Sequence, residues 1–497
     1  LLAEEGSSFY KGAIMSPSAC NLRMNVKSRR EFLQRSSFGF GALALEQLLD
    51  RSVLASSHST DLSNPLAPKL SHFAAKAKHV IFIFLQGGPS QVDTFDPKPV
   101  LSRLDGQFLP ESFLQGETTL AQIKANESKL MGSRRVFKRY GQSGLEISDL
   151  FQNLAKQADD LAVIRSCYHD TVIHGPAISL IHAGSIRLGS PSMGAWVVYG
   201  LGCETDNLPA YVVMADGFLR NSKGVIGSGF LPAVYQATVV STEGVPLENL
   251  SPPLEVEGES QRAILDQLKI WNQRHFAERT DDTSLAARIS NYELAFRMQM
   301  AGPELIDLTT EPEHIRRMYG LDGGPTSKFG EICLLARRMV ERGVRFVHLY
   351  NSDWDAHSEC DANHRDNARK TDIPLAALIA DLKQRGLLES TLIVCAGEFG
   401  RTPMMQGKEG RDHNPYGFSV LMAGGGIKGG HVIGATDEIG FRAVEDKVHI
   451  HDLHATMLEL LGLDHRKLHV TVSGLEKRLT GVGEEGQNSI AKRLMAG

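Results

Sequence analysis

Three side chains that can bind a metal ion, Asp353, His357 and His413, follow predicted strands of the chain. Asp353 and His357 lie in NSDWDAH, directly after the apolar run Val344–Tyr350, and His413 lies in GRDHNP, after the run Thr391–Ala396. Mixed carboxylate and imidazole ligands suit zinc or manganese better than calcium, which prefers oxygen ligands. Any one of these residues alone is more often a hydrogen-bonded loop residue, but three at strand ends favour a divalent metal site.

The strands that must position these residues alternate with helices along the chain. His79–Gly88, Asp160–Ser166 and Pro209–Ala215 are further apolar runs, and a helix that opens near Pro374 and ends at Gly386 separates two of the strands. Strand–helix–strand units favour a parallel sheet, and ligands gather beyond the carboxyl ends of its strands. The predicted fold class is therefore α/β with a mainly parallel sheet, and residues 250–330, rich in amphipathic helix patterns, are predicted to form an inserted helical cap.

The order of these motifs resembles the alkaline phosphatase superfamily, which includes sulfatases, phosphomutases and phosphodiesterases. More narrowly, QGGPSQVDTFDPKP, DWDAH, GEFGRTP, GRDHNP, AGGGIKGG and HDLHATMLELLG resemble an exported family, domain of unknown function 1501, across most of residues 28–465. The resemblance implies an alkaline-phosphatase-like three-layer sandwich. It also implies that Asp353, His357 and His413 form one metal site.

The sequence departs from the catalytic members of the superfamily at a second metal site. Gln86 stands where an aspartate is expected, unless Asp93 replaces it, and Phe399 stands where a histidine ligand is expected. Because phenylalanine cannot bind a metal, we expect one site and regard a second as doubtful.

His174 occupies the position of the superfamily's nucleophile, since His174-Gly175-Pro176 replaces the sulfatase pattern Cys/Ser-x-Pro. It is a candidate further ligand, general base or nucleophile, and the alternative is that it caps the helix or packs in the cleft. Glu398 is expected to help hold the metal or act as a base. Arg401 is expected to bind an anionic ester through its fork of donors, and its alternative is an ion pair with Asp412 or Glu398. Residues expected to support or replace these groups are Asp93, Asp355, Asp412 and His169.

Composition gives no indication of several classes of protein. The chain has 497 residues, is 42% hydrophobic and carries a net charge of -5, which gives no indication of a nucleic-acid partner. Its six cysteines are scattered without a CxxC motif, so neither a disulfide scaffold nor a thiolate zinc site is indicated.

The N-terminal region contains KSRREFL, residues 27–33, which resembles a twin-arginine export signal. The apolar stretch that follows, Ser36–Leu45, is too short for a transmembrane helix. The alternative is a basic surface loop before an amphipathic helix. We predict an N-terminal region with the signal at 1–55, a linker at 56–76, the main domain at 77–470 and a C-terminal tail at 471–497. The expected location is periplasmic or extracellular.

Two functions follow from these observations. The first is an exported, metal-dependent hydrolase of phosphate or sulfate esters, acting on a small anionic ester or a sulfated or phosphorylated polymer. The alternative is a degenerate superfamily member without turnover, which acts as an extracytoplasmic binding or assembly protein.

Overall fold

The computed structural model describes residues 65–114, 128–217, 223–240, 258–277, 283–481 and 488–496. Its strands are β1 His79–Leu85, β2 Phe137–Tyr140, β3 Leu145–Ser148, β4 Leu161–Tyr168, β5 Tyr211–Ala215, β6 Thr238–Val240, β7 Phe346–Asn351, β8 Thr391–Ala396, β9 Gly400–Gln406, β10 Gly410–Asn414, β11 Phe418–Gly424, β12 His431–Ile433, β13 Ala435–Thr436, β14 Ala443–Glu445, β15 Val448–His449, β16 Val470–Val472 and β17 Leu475–Lys477. Its α-helices are α1 Gln91–Thr94, α2 Pro99–Arg103, α3 His174–Ala183, α4 Met193–Leu201, α5 Gly258–Ala277, α6 Thr283–Ile306, α7 Glu313–Met318, α8 Ser327–Glu341, α9 Cys360–Gln384, α10 Ile450–Leu460 and α11 Ala491–Ala496.

Nine of the described strands form one sheet, in the order β12-β4-β11-β8-β1-β7-β5-β6, with β15 paired to β4. β1 lies between β7 and β8 and is parallel to both. β11 runs antiparallel to its neighbours β4 and β8, while the other pairs within this sheet are parallel. The predicted mixed α/β architecture with a mainly parallel sheet is therefore confirmed.

The sheet is covered by helices on both faces, as the apolar character of β1 requires. Val80, Phe82 and Phe84 of β1 face one apolar cluster, which includes residues of α3, α4 and α10. The alternate residues Ile81 and Ile83 face a second cluster, which includes residues of α8 and α9. Because successive side chains of a strand point to opposite faces, the molecule has helix, sheet and helix layers, as predicted.

The helix before β8 is longer than the sequence suggested. α9 begins at Cys360, so Pro374 lies in its interior and does not mark its start. His364, Ala368 and Thr371 are buried at helical spacing along the extra turns. Packing of this face therefore outweighs the helix-breaking tendency of proline.

Within the predicted cap, residues 250–330, α5 and α6 are long helices that contact each other. Arg262 of α5 lies 3.0 Å from Glu293 of α6 in an ion pair. The boundaries of the cap stay a prediction, since residues 241–257 lie outside the described residues.

Both ends of the described chain are attached to the main body. In the segment assigned to a linker, the Lys69 ammonium lies over the rings of Tyr199 and Tyr235, at 5.3 and 5.2 Å from their centroids. In the segment assigned to a tail, Ala491 and Leu494 of α11 are fully buried in the cluster that contains α10. The twin-arginine motif lies outside the described residues. In the part of the chain that is described, none of the helices combines the length and the apolar character that crossing a membrane requires.

Candidate metal centre

Four side chains converge beyond the carboxyl ends of the central strands. His174 is the first residue of α3, Asp355 and His357 lie in the loop after β7, and His413 lies on β10. Each offers one ligand atom, and these atoms all lie within 4.8 Å of one another. The structure therefore brings together imidazoles from three separate segments.

The three imidazoles turn their Nε2 atoms toward the carboxylate of Asp355. The distances from Nε2 to the nearest Asp355 oxygen are 3.2 Å for His174, 3.1 Å for His357 and 3.5 Å for His413. Asp355 thus lies at the centre of the group.

The outer nitrogen of each imidazole faces a hydrogen-bond acceptor. Nδ1 of His174 lies 2.7 Å from the Glu398 carboxylate, and Nδ1 of His413 lies 2.7 Å from the carbonyl oxygen of Val172. Nδ1 of His357 lies 2.6 Å from the side-chain oxygen of Gln406. We infer that, when the site holds a cation, each Nδ1 carries the proton, so that each ring directs the Nε2 lone pair into the group. Acceptors behind histidine ligands hold the rings of protein metal sites in the same way.

The donor set fits a divalent cation. Nε2 of His174 and Nε2 of His413 are buried and face the Asp355 carboxylate without a well-formed hydrogen bond. Buried nitrogen lone pairs that face a carboxylate lack a positive partner, and imidazole with carboxylate is a common ligand set for zinc and manganese. Asp355 is 42% exposed and His357 is 40% exposed, so a bound ion would face solvent on one side.

The charges around the group perturb two pKa values. Burial alone would lower the pKa of His174, but the adjacent carboxylates of Asp355 and Glu398 raise it to about 9. Burial would raise the pKa of Asp355, yet His174, His413 and Arg401 hold that pKa far below its usual range. Without a metal the group therefore retains a proton on His174 and a charge on Asp355.

Arg401 supports Asp355 from behind. It is fully buried, and its Nη2 lies 2.5 Å from Asp355 Oδ1. Its other donors bond to the carbonyl oxygens of Gly87 and Gly88, and of Arg411 at 3.2 Å. The sequence predicted an ester contact, or an ion pair with Asp412 or Glu398. In the structure the guanidinium is instead committed to Asp355 and to backbone, because the turn after β1 closes over it.

Glu398 supports His174 and is not a member of the group. It is fully buried, and its two oxygens accept hydrogen bonds from the backbone nitrogen of Gly87 at 3.1 and 3.0 Å. With one oxygen also bonded to His174, the carboxylate is positioned to orient that ring.

The turn at Gly87 allows these contacts to form. Its φ of +111° favours glycine, and a Cβ there would lie 2.3 Å from the backbone nitrogen of Asp355. The Phe399 ring, in the place of an expected histidine ligand, stacks on His413 with ring centroids 4.4 Å apart. The apolar ring therefore forms a wall of the group.

Asp353, predicted as a ligand, is not a member of the group, and Asp355 takes that place. Asp353 has a φ of +79°, and its carbonyl oxygen accepts hydrogen bonds from the side-chain amides of Asn363 and Asn367, both at 2.8 Å. This backbone conformation places Asp353 on the wall of a cavity of about 170 Å³ that His174 and Asp355 also line.

The remaining predicted residues lie around the group. Asp93 is paired with Arg411 at 2.8 Å, so it does not replace the aspartate missing at Gln86. Nε2 of His169 lies 2.6 Å from the carbonyl oxygen of Glu398, and burial lowers the pKa of His169 to about 4. Asp412 accepts a hydrogen bond from the backbone nitrogen of His413 and lies 3.8 Å from Nδ1 of His357.

Sequence reasoning missed the acceptors that orient the rings. Gln406 ends β9, and Val172 contributes only a backbone carbonyl, which no residue type reveals. The Gly-Gly turn after β1 is a sequence signal of close backbone approach, but the sequence does not identify the segment that approaches it.

Comparisons with known proteins place the chain in a family. The model of a family described as "Protein of unknown function (DUF1501)" matches residues 77–490. None of the curated proteins matches the sequence.

Several solved structures are similar to the chain at low identity. The PsFucS1 sulfatase from Pseudoalteromonas sp. is 11% identical with a TM-score of 0.33, over 78% of this chain and 68% of that one. The lipoteichoic acid synthase LtaP from Listeria monocytogenes is 9% identical with a TM-score of 0.33, over 85% and 80%. Alkaline phosphatase from the Antarctic bacterium TAB5 is 10% identical with a TM-score of 0.29, over 78% and 98%. Since the family model spans most of the sequence, this chain belongs to the DUF1501 family.

Proposed function

We propose that this protein is a metal-dependent hydrolase of phosphate or sulfate esters, with one divalent cation, zinc or manganese, held by His174, Asp355, His357 and His413. The observation that carries the proposal is the inward direction of three Nε2 atoms around one carboxylate, with each Nδ1 bonded outside the group. The motif order shared with the alkaline phosphatase superfamily supports the class of substrate.

Bound there, a divalent cation supplies a Lewis acid that polarises an ester oxygen and lowers the pKa of water. Glu398 keeps the His174 lone pair turned inward, and Arg401 keeps the Asp355 carboxylate charged and fixed. Asp353 is exposed on the wall of the same cavity, so it is the carboxylate positioned to accept a proton from an entering water molecule.

Metal content and ester hydrolysis test the proposal together. The purified chain should hold one zinc or manganese ion and hydrolyse at least one of an aryl phosphate, an aryl phosphodiester and an aryl sulfate. His413→Ala should lose the ion and lower the rate at least a hundredfold, since it removes a ligand. The matched control is His314→Ala, because His314 is an exposed histidine of α7. A chain that binds neither metal under any loading condition would contradict the proposal.

The alternative is a binding or assembly protein that keeps the metal without turnover. Its specific support is the burial of Arg401, which leaves the group without the anion contact expected of that residue, and the presence of Phe399 where a ligand was expected. A metal-loaded chain that hydrolyses none of the three esters would favour this alternative over the hydrolase.

We also propose that the protein is exported by the twin-arginine route to the periplasm or beyond. The support is the sequence KSRREFL at residues 27–33. Replacing both Arg29 and Arg30 by lysine should retain the protein in the cytoplasm, as measured by fractionation of an expressing bacterium. Unchanged export of the double variant would contradict this route.

A further inference from the structure

A second cavity adjoins the metal centre. It has a volume of about 330 Å³ and is lined by residues that include Asp216, Lys328 and Lys370. Ser352 and Asp353 line both this cavity and the smaller one beside His174. The two spaces therefore meet along the start of the loop after β7.

Two lysines from different helices face this cavity. Lys328 lies in the first turn of α8, a helix of 15 residues, where the backbone dipole also favours negative charge. Lys370 belongs to α9, and its ammonium donates to the side-chain oxygen of Asn367 at 3.0 Å. An ammonium has three donors, so Lys370 keeps capacity for a ligand.

Two carboxylates, those of Asp216 and Asp353, also line the cavity. Asp216 accepts hydrogen bonds from the side-chain amide of Asn351 and from the backbone nitrogen of Ser352. Burial raises the pKa of Asp216, although Lys370 and Lys328 oppose that rise. Asp353 lies at the boundary of the two cavities, in a left-handed conformation that two asparagine amides hold. Such strained residues cluster at functional sites.

We propose that this cavity binds a second anionic group of the substrate, so that the natural substrate is an ester with at least two separated sulfate or phosphate groups. One group would lie at the metal centre, and Lys328 and Lys370 would bind the other. The Asp353 carboxylate lies between the two anion positions. Its charge repels a single extended anion, but its oxygens can accept a hydrogen bond from a substrate hydroxyl. This inference rests on the proposed hydrolase function and narrows its substrate to an ester with a second anionic group, as a sulfated or phosphorylated polymer has.

Binding is tested apart from turnover. Purified, metal-loaded protein is titrated with fluorescent dextran sulfate and with neutral dextran of the same length. Dextran sulfate should bind, and neutral dextran should not. Lys328→Met and Lys370→Met should each weaken the binding about tenfold, because each removes a charged hydrogen bond. Lys370→Arg should retain most of the affinity, and Lys492→Met, an exposed lysine of α11, should retain all of it.

Turnover supplies a second measurement. With an aryl ester that carries an additional phosphate, the two lysine-to-methionine variants should raise KM about tenfold and leave kcat unchanged. With an aryl ester that carries one anionic group, KM should be the same in the variants and the parent.

The outcomes separate the two proposals. Equal binding of dextran sulfate to the parent and to the Lys328→Met/Lys370→Met double variant, both folded by circular dichroism, would overturn the anion pocket and leave the hydrolase test unaffected. Lysine-dependent binding without hydrolysis of any ester would support the pocket and overturn the hydrolase.

Discussion

His174 lies between two carboxylates, Glu398 at 2.7 Å from Nδ1 and Asp355 at 3.2 Å from Nε2. These neighbours outweigh its burial and raise its pKa to about 9. A metal must displace the proton on Nε2, so the same carboxylates that favour a cation also favour that proton.

We expect the apparent metal affinity of the protein to rise with pH up to about 9. His174 is protonated below its pKa of about 9, so lowering the pH by one unit should weaken zinc binding up to tenfold. Competition with a chelating dye at pH 7, 8 and 9 measures this slope. His174→Asn should bind more weakly and show a flatter slope, and an equal slope in parent and variant would contradict the assignment.

The stability of the metal-free protein should fall as the pH rises, whereas the metal affinity should increase. A pKa raised from 6.5 to about 9 means that the folded state binds the His174 proton more tightly than the unfolded state. This contribution to stability is complete below pH 6.5 and is lost as the pH rises to 9. Urea denaturation in the presence of a chelator measures it, and His174→Asn is the variant in which this dependence should be weaker.

At the scale of elements, the turn after β1 and the loop after β7 are in direct contact. Gly87 combines a φ of +111° with an approach that leaves no room for a Cβ against the backbone of Asp355. Gly106 has a φ of +74°, and a Cβ there would have nothing within 4 Å. Comparing substitutions at Gly87 and Gly106 therefore distinguishes the cost of backbone strain from the cost of steric contact.

Gly106→Ala should therefore cost about 1–2 kcal/mol of the free energy of unfolding, the cost of a left-handed alanine alone. Gly87→Ala should cost more, because it also displaces the backbone of Asp355, and it should reduce metal content. Urea denaturation and metal analysis of the two variants measure these effects. Full metal content in folded Gly87→Ala would show that the turn does not position Asp355.

Much of the architecture was predictable at this scale, and the orientation of individual side chains was not. The runs that form β1, β7 and β8 are continuously apolar because helices cover both faces of the sheet, so their sequences indicate them. The histidines His357 and His413 were candidates because they follow strands. Asp353 and Asp355 are two residues apart, and the choice between them depends on the φ of Asp353 and on amides from α9. Sequence patterns do not reveal hydrogen bonds between a loop and a neighbouring helix, such as these.

At the scale of the whole molecule, several histidines that do not belong to the metal-binding group are buried. Burial lowers the pKa of His169, His182 and His364 to about 4 and that of His454 to about 3. An unfolded chain binds protons at these imidazoles near pH 6.5. Below that pH the unfolded state therefore binds more protons than the folded state.

We expect the free energy of unfolding to fall as the pH drops from 6.5 toward 4. Each buried histidine contributes up to about 1.4 kcal/mol per pH unit to this loss. Urea denaturation at pH 7, 6 and 5 measures the slope. His454→Gln should give a flatter dependence, even if its stability at pH 7 is lower, and an unchanged slope would contradict the role of that residue.

The position of β1 also affects how the chain is synthesised. Val80 pairs with Phe346 on one side and with Leu392 on the other, and these partners emerge from the ribosome long after β1. Sheets built from such distant segments form slowly. The nascent chain therefore carries a continuously apolar strand without its neighbouring strands through most of translation, which is a state that aggregates readily and that chaperones protect.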